Sequence, residues 1–320
     1  MGEDVKASGH IRLVGALAGV GSGLTKVAVG HGFDTIKTRL QCSPLGTYRG
    51  AIDVLTKIIR NEGIFALYKG ATPPAVGWAA IDSVLLGSLH NYRLFLLRNG
   101  MTESTPGSGH QRLTLLGHGI AGLFAGLTSA VIATPVELLK VKLQLQSQKL
   151  VSERQFRGPI DCGRQIIRVQ GIQGLWSGFT GSLAFRSNFL WMFLSFEALM
   201  RGFSRLAGTS YEISTGSANF ISGGLAAFAF WGMAIPADNV KNRMMSYPYP
   251  LPYTSMSTPS GMISRPSFAL TAHHIYIRDG FGGFFRGLGP CLLRAFPVNA
   301  CAFFVYEGMM RVLGAEKTRR

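Results

Sequence analysis

The stretch "VGHGFDTIKTRLQ", Val29 to Gln41, decides how this chain is read. It closes a long run of apolar and small residues, yet within eight positions it sets down Asp34, Lys37, Arg39 and Gln41. Charges at the end of an apolar segment need partners, and the sequence writes the same pattern twice more. "GFDTIKTRLQ" from Gly32 is followed by "PVELLKVKLQ" from Pro135 and "PADNVKNRMM" from Pro236, at intervals of about 100 residues, which marks an internal repeat. Each copy has an acid third (Asp34, Glu137, Asp238), a lysine three later (Lys37, Lys140, Lys241) and a base two beyond (Arg39, Lys142, Arg243). On a helix, residues three and seven apart share a face, so Asp34, Lys37 and Gln41 point together, as do Glu137, Lys140 and Gln144.

A second element follows each copy: "NEGIFALYKG" to Gly70, "VQGIQGLWSG" to Gly178 and "RDGFGGFFRG" to Gly287. The third interval is the longest because it holds "YPYPLPYTSMSTPSGMISRPS", whose Pro and Ser content reads as a loop. Each repeat is therefore an apolar helix, a charged motif, a short connecting helix, an aromatic-base-Gly turn and a second apolar helix. The repeats are expected at 1–105, 106–210 and 211–320, with long helices at 11–41, 72–97, 113–146, 178–206, 216–246 and 287–313. Each is long enough for a bilayer crossing, which takes about 20 residues. The expected fold is an all-α membrane protein, with six transmembrane helices in three pseudo-symmetric pairs around a central cavity.

Composition agrees with that reading. Charged residues are 15% of the chain, against about 25% in an ordinary soluble domain. The chain has 41 glycines, spread through the apolar runs rather than confined to linkers, and small residues there let membrane helices approach closely, so a glycine-rich soluble enzyme is disfavoured. The net charge of +16 suits anionic lipid or an anionic ligand. No Lys/Arg run, aromatic RNA-binding signature or zinc spacing points to nucleic acid. Cys42, Cys162, Cys291 and Cys301 are scattered and suggest neither a disulfide framework nor a metal site. The amino-terminal "MGEDVKASGH" resembles neither a secretory signal nor a transit peptide, so any organellar address is expected to be internal.

The repeated motif, with its following aromatic-basic-Gly turn, resembles the signature of the mitochondrial carrier family, P-x-[DE]-x-x-[KR]-x-[KR]-x-Q, over nearly the whole chain. "VGHGFDTIKTRLQ" is closest in wording to the carnitine/acylcarnitine and ornithine-like branch. The chain departs from the pattern at Gly32 (for Pro), Met245 (for Gln), Ser177 (for the turn base) and Gln170 (for the acid before Gly171).

The resemblance implies a solute antiporter of the mitochondrial inner membrane, multi-pass, working by alternating access, with no enzymatic reaction and no cofactor. It implies a matrix gate of Asp34 with Lys140, Glu137 with Lys241 and Asp238 with Lys37, braced by Gln41 and Gln144. It implies a cytoplasmic gate on the even-numbered helices. There Glu197 and Glu307 are followed by Arg201 and Arg311 one residue late, and His90 stands where an acid is expected, with Arg93 three later. Substrate contacts fall seven or eight residues past the turn glycines, at Gly77, Phe185, Arg186 and Arg294, with Ala184 also in range if the fourth helix is shifted by one residue. Lys26, mid-span in the first helix, is a further candidate.

Arginines at the bilayer midplane are costly and mark function, and paired guanidinium groups suit carboxylates. In the carnitine and amino-acid branch an acid adjoins the fourth-helix arginine. Here the neighbour is Ser187, which shifts the expected cargo to purely anionic metabolites of the citrate, aconitate and malate class. Asp82 opposes this if it faces the cavity, because it suits a cationic group. The alternatives are carnitine esters or ornithine-like basic amino acids, or a scaffold that has lost transport. A nucleotide carrier is disfavoured by the missing RRRMMM run. The expected partners are a small anionic solute and an anionic lipid. The family's cardiolipin would sit at Tyr48-Arg49-Gly50, Phe156-Arg157-Gly158 and the helix N-termini after the turn glycines. The expected state is a monomer.

Overall fold

A computed structural model describes residues 2–44, 46–105, 109–148, 151–206, 208–247 and 267–312. In chain order the helices are α1 (Gly2–Cys42), α2 (Ala51–Glu62), α3 (Thr72–Arg98), α4 (Leu115–Gln144), α5 (Pro159–Gln170), α6 (Phe179–Arg186), α7 (Phe189–Ser204), α8 (Thr215–Ser246), α9 (Phe268–Asp279) and α10 (Leu288–Val312). An antiparallel hairpin of β1 (Thr102–Ser104) and β2 (Gln111–Leu113) links α3 to α4. Almost all of the Pro/Ser-rich stretch after Ser246 lies outside the described residues.

Every long helix expected from the sequence is present. α3, α4, α8 and α10 agree with the expected limits to within two residues, and α1 runs back to Gly2. The fourth long helix is broken into α6 and α7 at Ser187 and Asn188. The N–H of Asn188 donates to the Phe185 carbonyl, Leu190 to Ser187 and Trp191 to Asn188, all three residues back. The hydroxyl of Ser187 and the amide of Asn188 also donate to the Ala184 carbonyl, at 2.8 and 2.9 Å. Such a turn climbs about 2.0 Å per residue rather than 1.5 Å, so it covers the same height with fewer residues. This accounts for the one-residue shift read from the spacing on this helix.

Within each repeat the short helix packs on the motif end of the long helix before it. Val54 and Ile58 of α2 meet Ile36 and Leu40 of α1. Cys162 and Ile166 of α5 meet Leu138 and Val141 of α4. Ile275 of α9 meets Val240 and Met244 of α8. The helices form a closed circuit in which α1 touches α10, α10 touches α8, α8 touches α6 and α7, these touch α4, α4 touches α3, and α3 returns to α1.

The turn glycines join one repeat to the next. Gly70, Gly178 and Gly287 have φ of +76°, +88° and +85°, a region that L side chains avoid. A Cβ at Gly70 would lie 2.9 Å from the Lys140 carbonyl oxygen, at Gly178 2.9 Å from Met245, and at Gly287 3.1 Å from Lys37. Each turn thus presses on the charged helix of the next repeat, and the third returns to the first. Small residues do the same between α4 and α6–α7, where a Cβ at Gly126 would stand 2.2 Å from the Arg186 carbonyl oxygen.

Among the described residues two helices, α4 and α8, are long and apolar enough to cross a membrane on their own composition, with mean hydropathy of 1.7 and 1.5 over their best windows. The others are diluted by glycine and by charges such as Lys26, Asp34 and Lys37 in α1.

These contacts set an expectation for stability. Gly126→Ala overpacks a helix crossing and costs about 1–3 kcal/mol. Gly32, by contrast, has nothing within 4 Å of the position a Cβ would take, and Ala there gains up to about 1 kcal/mol of helix propensity. Thermal unfolding in detergent should show a lower midpoint for Gly126→Ala and an unchanged or higher one for Gly32→Ala.

Candidate functional site

The charged motifs of α1, α4 and α8 converge at one end of the bundle. Lys140 meets Asp34 at 2.5 Å, Lys241 meets Glu137 at 2.9 Å and Lys37 meets Asp238 at 2.7 Å. The three pairs run cyclically from helix to helix, each acid bonding a lysine from a different repeat. A fourth contact lies within α8, where Lys241 reaches Asp238 at 3.1 Å. Gln41 donates to Asp238 at 3.0 Å and to the Arg286 carbonyl at 3.3 Å. Gln144 has different partners: it accepts from the Thr38 hydroxyl at 2.9 Å and donates to the Thr35 hydroxyl at 3.1 Å. Met245, in the third glutamine position, is fully buried in an apolar cluster with Leu138 and Phe156. The polar role passes to Asn242, whose amide donates to Gln41 at 2.5 Å and to Asp238 at 3.1 Å.

Two arginines join this ring from above. Arg294 donates to Asp34 at 2.5 Å, and Arg186 donates to Glu137 at 2.7 Å and to the Ser129 hydroxyl at 2.9 Å. The second long helices of repeats two and three, α6 and α10, therefore bring their arginines onto the acids of α4 and α1. Five bases (Lys37, Lys140, Lys241, Arg186, Arg294) share three acids (Asp34, Glu137, Asp238), which leaves two positive charges in excess. Removing one partner of a buried pair typically costs about 3–5 kcal/mol, so these contacts hold the helix ends together.

Above the ring is a cavity of about 370 Å³, lined in part by Lys26, Asp82, Arg186 and Arg294. Its walls are aromatic. The Lys37 ammonium lies 4.6 Å from the Trp231 ring, Lys241 4.0 Å from Phe185 and Lys140 5.7 Å from Trp78. Phe185 also packs edge-on to Phe230, with ring centres 5.5 Å apart. Gly77 is placed differently: a Cβ there would lie 2.8 Å from the Val136 methyls, so its bare face serves the α3–α4 crossing, while Trp78 and Asp82 line the cavity. Counting from the turn glycines does not find Trp78 or Trp231. The signal for Trp231 was its position seven residues before Asp238, on the same helix face.

At the opposite end, Arg201 donates to Glu197 at 2.8 Å along α7. It also bonds Glu103 of the β1–β2 hairpin and donates to the Leu113 carbonyl at 2.8 Å. Arg201 is thus engaged with the inter-repeat linker. The side chains of Glu307 and Arg311 lie outside the described residues.

Around the ring, in the first and third repeats, the second base of the motif reaches the connecting helix of its own repeat. Arg39 bonds Glu62, which also takes Lys69 at 2.6 Å. Arg243 bonds Asp279, with Arg286 at 3.6 Å. Burial alone would raise the Glu62 carboxyl, but the hydrogen bonds from Arg39 and Lys69 hold it below the usual range. The resulting stabilisation is present at neutral pH and is lost as the pH falls through that depressed range. In the second repeat acid and turn base are both replaced: Ser177 donates to Gln170 at 3.1 Å. The two departures seen in the sequence thus form one neutral pair. At the lipid-site candidates, the N–H groups of Arg49 and Arg157 already donate to Asp53 and Asp161, at 3.0 and 2.9 Å.

The model of the mitochondrial carrier protein family matches residues 13–100, 111–206 and 214–317, one segment for each repeat. The chain belongs to the mitochondrial carrier family. It is 34% identical over 298 residues to mitochondrial substrate carrier family protein L of Dictyostelium discoideum, covering 92% of this chain and 94% of that protein. It is 32% identical to a glutamate/glycine mitochondrial carrier of Schizosaccharomyces pombe, over 91% of each chain. It is also 32% identical to a mitochondrial carnitine/acylcarnitine carrier-like protein of Arabidopsis thaliana, over 93% of this chain and 97% of that one. Members of this family are helical membrane transporters of small molecules, not enzymes.

The geometry refines a charge-swap test of the ring. Asp34→Lys alone should abolish transport in reconstituted liposomes. Adding Lys140→Asp should restore only part of it, because the new lysine still faces Arg294. Full recovery would show that Arg294 does not share the Asp34 site.

Proposed function

We propose that this chain exchanges small carboxylate anions across the mitochondrial inner membrane by alternating access. In this reading three two-helix repeats supply six crossings, and the Asp34, Glu137 and Asp238 ring is the gate on the matrix side. The observation that carries the proposal is the charge imbalance at the cavity floor, where five bases share three acids. Two positive charges in excess in a confined site favour an incoming anion, and guanidinium forks match carboxylates. Di- and tricarboxylates of the malate, citrate and aconitate class are therefore the leading cargo.

The same contacts couple cargo to gate. Arg186 and Arg294 each hold a ring acid while lining the cavity. A carboxylate that takes these arginines weakens their hold on Glu137 and Asp34. The net worth of a buried ion pair is small, because desolvation offsets most of its Coulombic gain, while an unpartnered buried charge is costly. A bound carboxylate that replaces a ring acid as an arginine's partner therefore offsets the loss of that contact, which lets the gate open only when substrate is present. The relatives' names point to glutamate and glycine, or to carnitine and its esters. Each of those solutes contains a carboxylate, which supports the arginine floor as its receptor. Cardiolipin or another anionic lipid would bind outside the bundle, at the basic turns holding Arg49 and Arg157.

Uptake into liposomes preloaded with malate, citrate, aconitate, ornithine or carnitine tests the reading. Exchange of a carboxylate anion is expected. It should fall about tenfold or more in Arg186→Ala and Arg294→Ala, a loss on the scale of a charge-assisted hydrogen bond. Arg→Lys at either site should rescue poorly, since a lysine lacks the bidentate fork. Exchange of ornithine or carnitine without any di- or tricarboxylate would overturn the anion reading, and no exchange of any solute would favour a scaffold.

A further inference from the structure

The cavity carries charge on two levels. The floor holds the ring and the two arginines. Trp78 marks that level, since its ring lies 5.7 Å from the Lys140 ammonium. Asp82, four residues further along α3, stands about 6 Å higher, one helical turn. Lys26, eight residues before Asp34 on α1, stands about 12 Å above that acid. Both side chains line the cavity, and Asp82 is exposed there. Neither is in an ion pair among the described residues, in contrast to Asp34, Glu137 and Asp238. Lys26 and Arg186 line the same cavity as Asp82.

An open carboxylate one turn above an arginine floor is misplaced for a solute that is only anionic, because each added negative charge would be repelled by Asp82. It is well placed for a solute with its carboxylates below and a cation above. We propose that Asp82 is the ammonium-binding residue of this cavity and that the transported solute is an acidic amino acid. Its two carboxylates engage Arg186 and Arg294, and its ammonium group engages Asp82. Lys26 balances Asp82 when no solute is present. A basic amino acid fits less well, because it offers one carboxylate to two arginines and brings a second cation into a basic site. This inference rests on the carboxylate reading above and revises its cargo, from di- and tricarboxylates that carry only negative charge to dicarboxylates that also carry an ammonium group.

Glutamate and glutarate differ only by the ammonium group and make the matched test. In liposomes, the wild-type chain should take up labelled glutamate about tenfold or more faster than glutarate, on the scale of a charge-assisted hydrogen bond. Asp82→Asn should lose that preference by slowing glutamate while glutarate uptake is kept or raised. Asp82→Glu should restore part of it. Glutarate uptake by the variant also reports that it is folded. Equal wild-type rates for the two solutes would overturn the ammonium site and leave the carboxylate reading standing. An equal slowing of both in Asp82→Asn, with Asp82→Glu no better, would also overturn it. Uptake of neither solute, nor of malate or citrate, would overturn both.

Discussion

The cyclic ion pairing of Asp34 with Lys140, Glu137 with Lys241 and Asp238 with Lys37 is the constraint on which the rest of this structure depends. An acid and a lysine three residues apart on one helix are near neighbours, yet their principal partners lie on other helices. Buried charges must be paired, and here no single repeat satisfies its own set in full. The repeats are therefore committed to assemble around a common axis, and the bonds of assembly are also the closure of the cavity. On the reading proposed above, the ring is also a gate: one built from ion pairs is weakened by any ligand that competes for its members, whereas one built from apolar packing would have no reason to respond to a charged solute.

Packing and charge reinforce one another in this design. The positive-φ glycines of the turns seat the starts of α3, α6 and α10 against the charged helices α4, α8 and α1 of the following repeat. That contact brings Arg186 and Arg294 within reach of the ring. The symmetry is kept in geometry rather than in residue identity. Asn242 supplies the amide that Met245 lacks, and Gln170 with Ser177 replaces an acid and a base together. Each exchange preserves charge balance and hydrogen bonding, which is why departures from the motif leave the fold intact.

Much of this architecture is legible in the chain itself. The spacing of acid, lysine and base, written three times, is a local property of helix faces, and the lengths of the long helices follow from where apolar runs stop. Gly77 and Trp231 show the limit of such reading. Counting residues from a turn gives height along a helix but not the direction of the side chain after a neighbouring helix has packed. Gly77 accordingly faces Val136, while Trp78 takes its place in the cavity.

By itself, then, the sequence determined the repeat, the helical class, the membership of the charged motif and the presence of two arginines at mid-helix height. The tertiary structure alone decided what those arginines touch, that five bases share three acids, and that Asp82 stands open above them. The physical reason is that helix periodicity is set by near neighbours in the chain. The partner of a charge is set by whichever helix the packing of small residues and glycine turns brings alongside it.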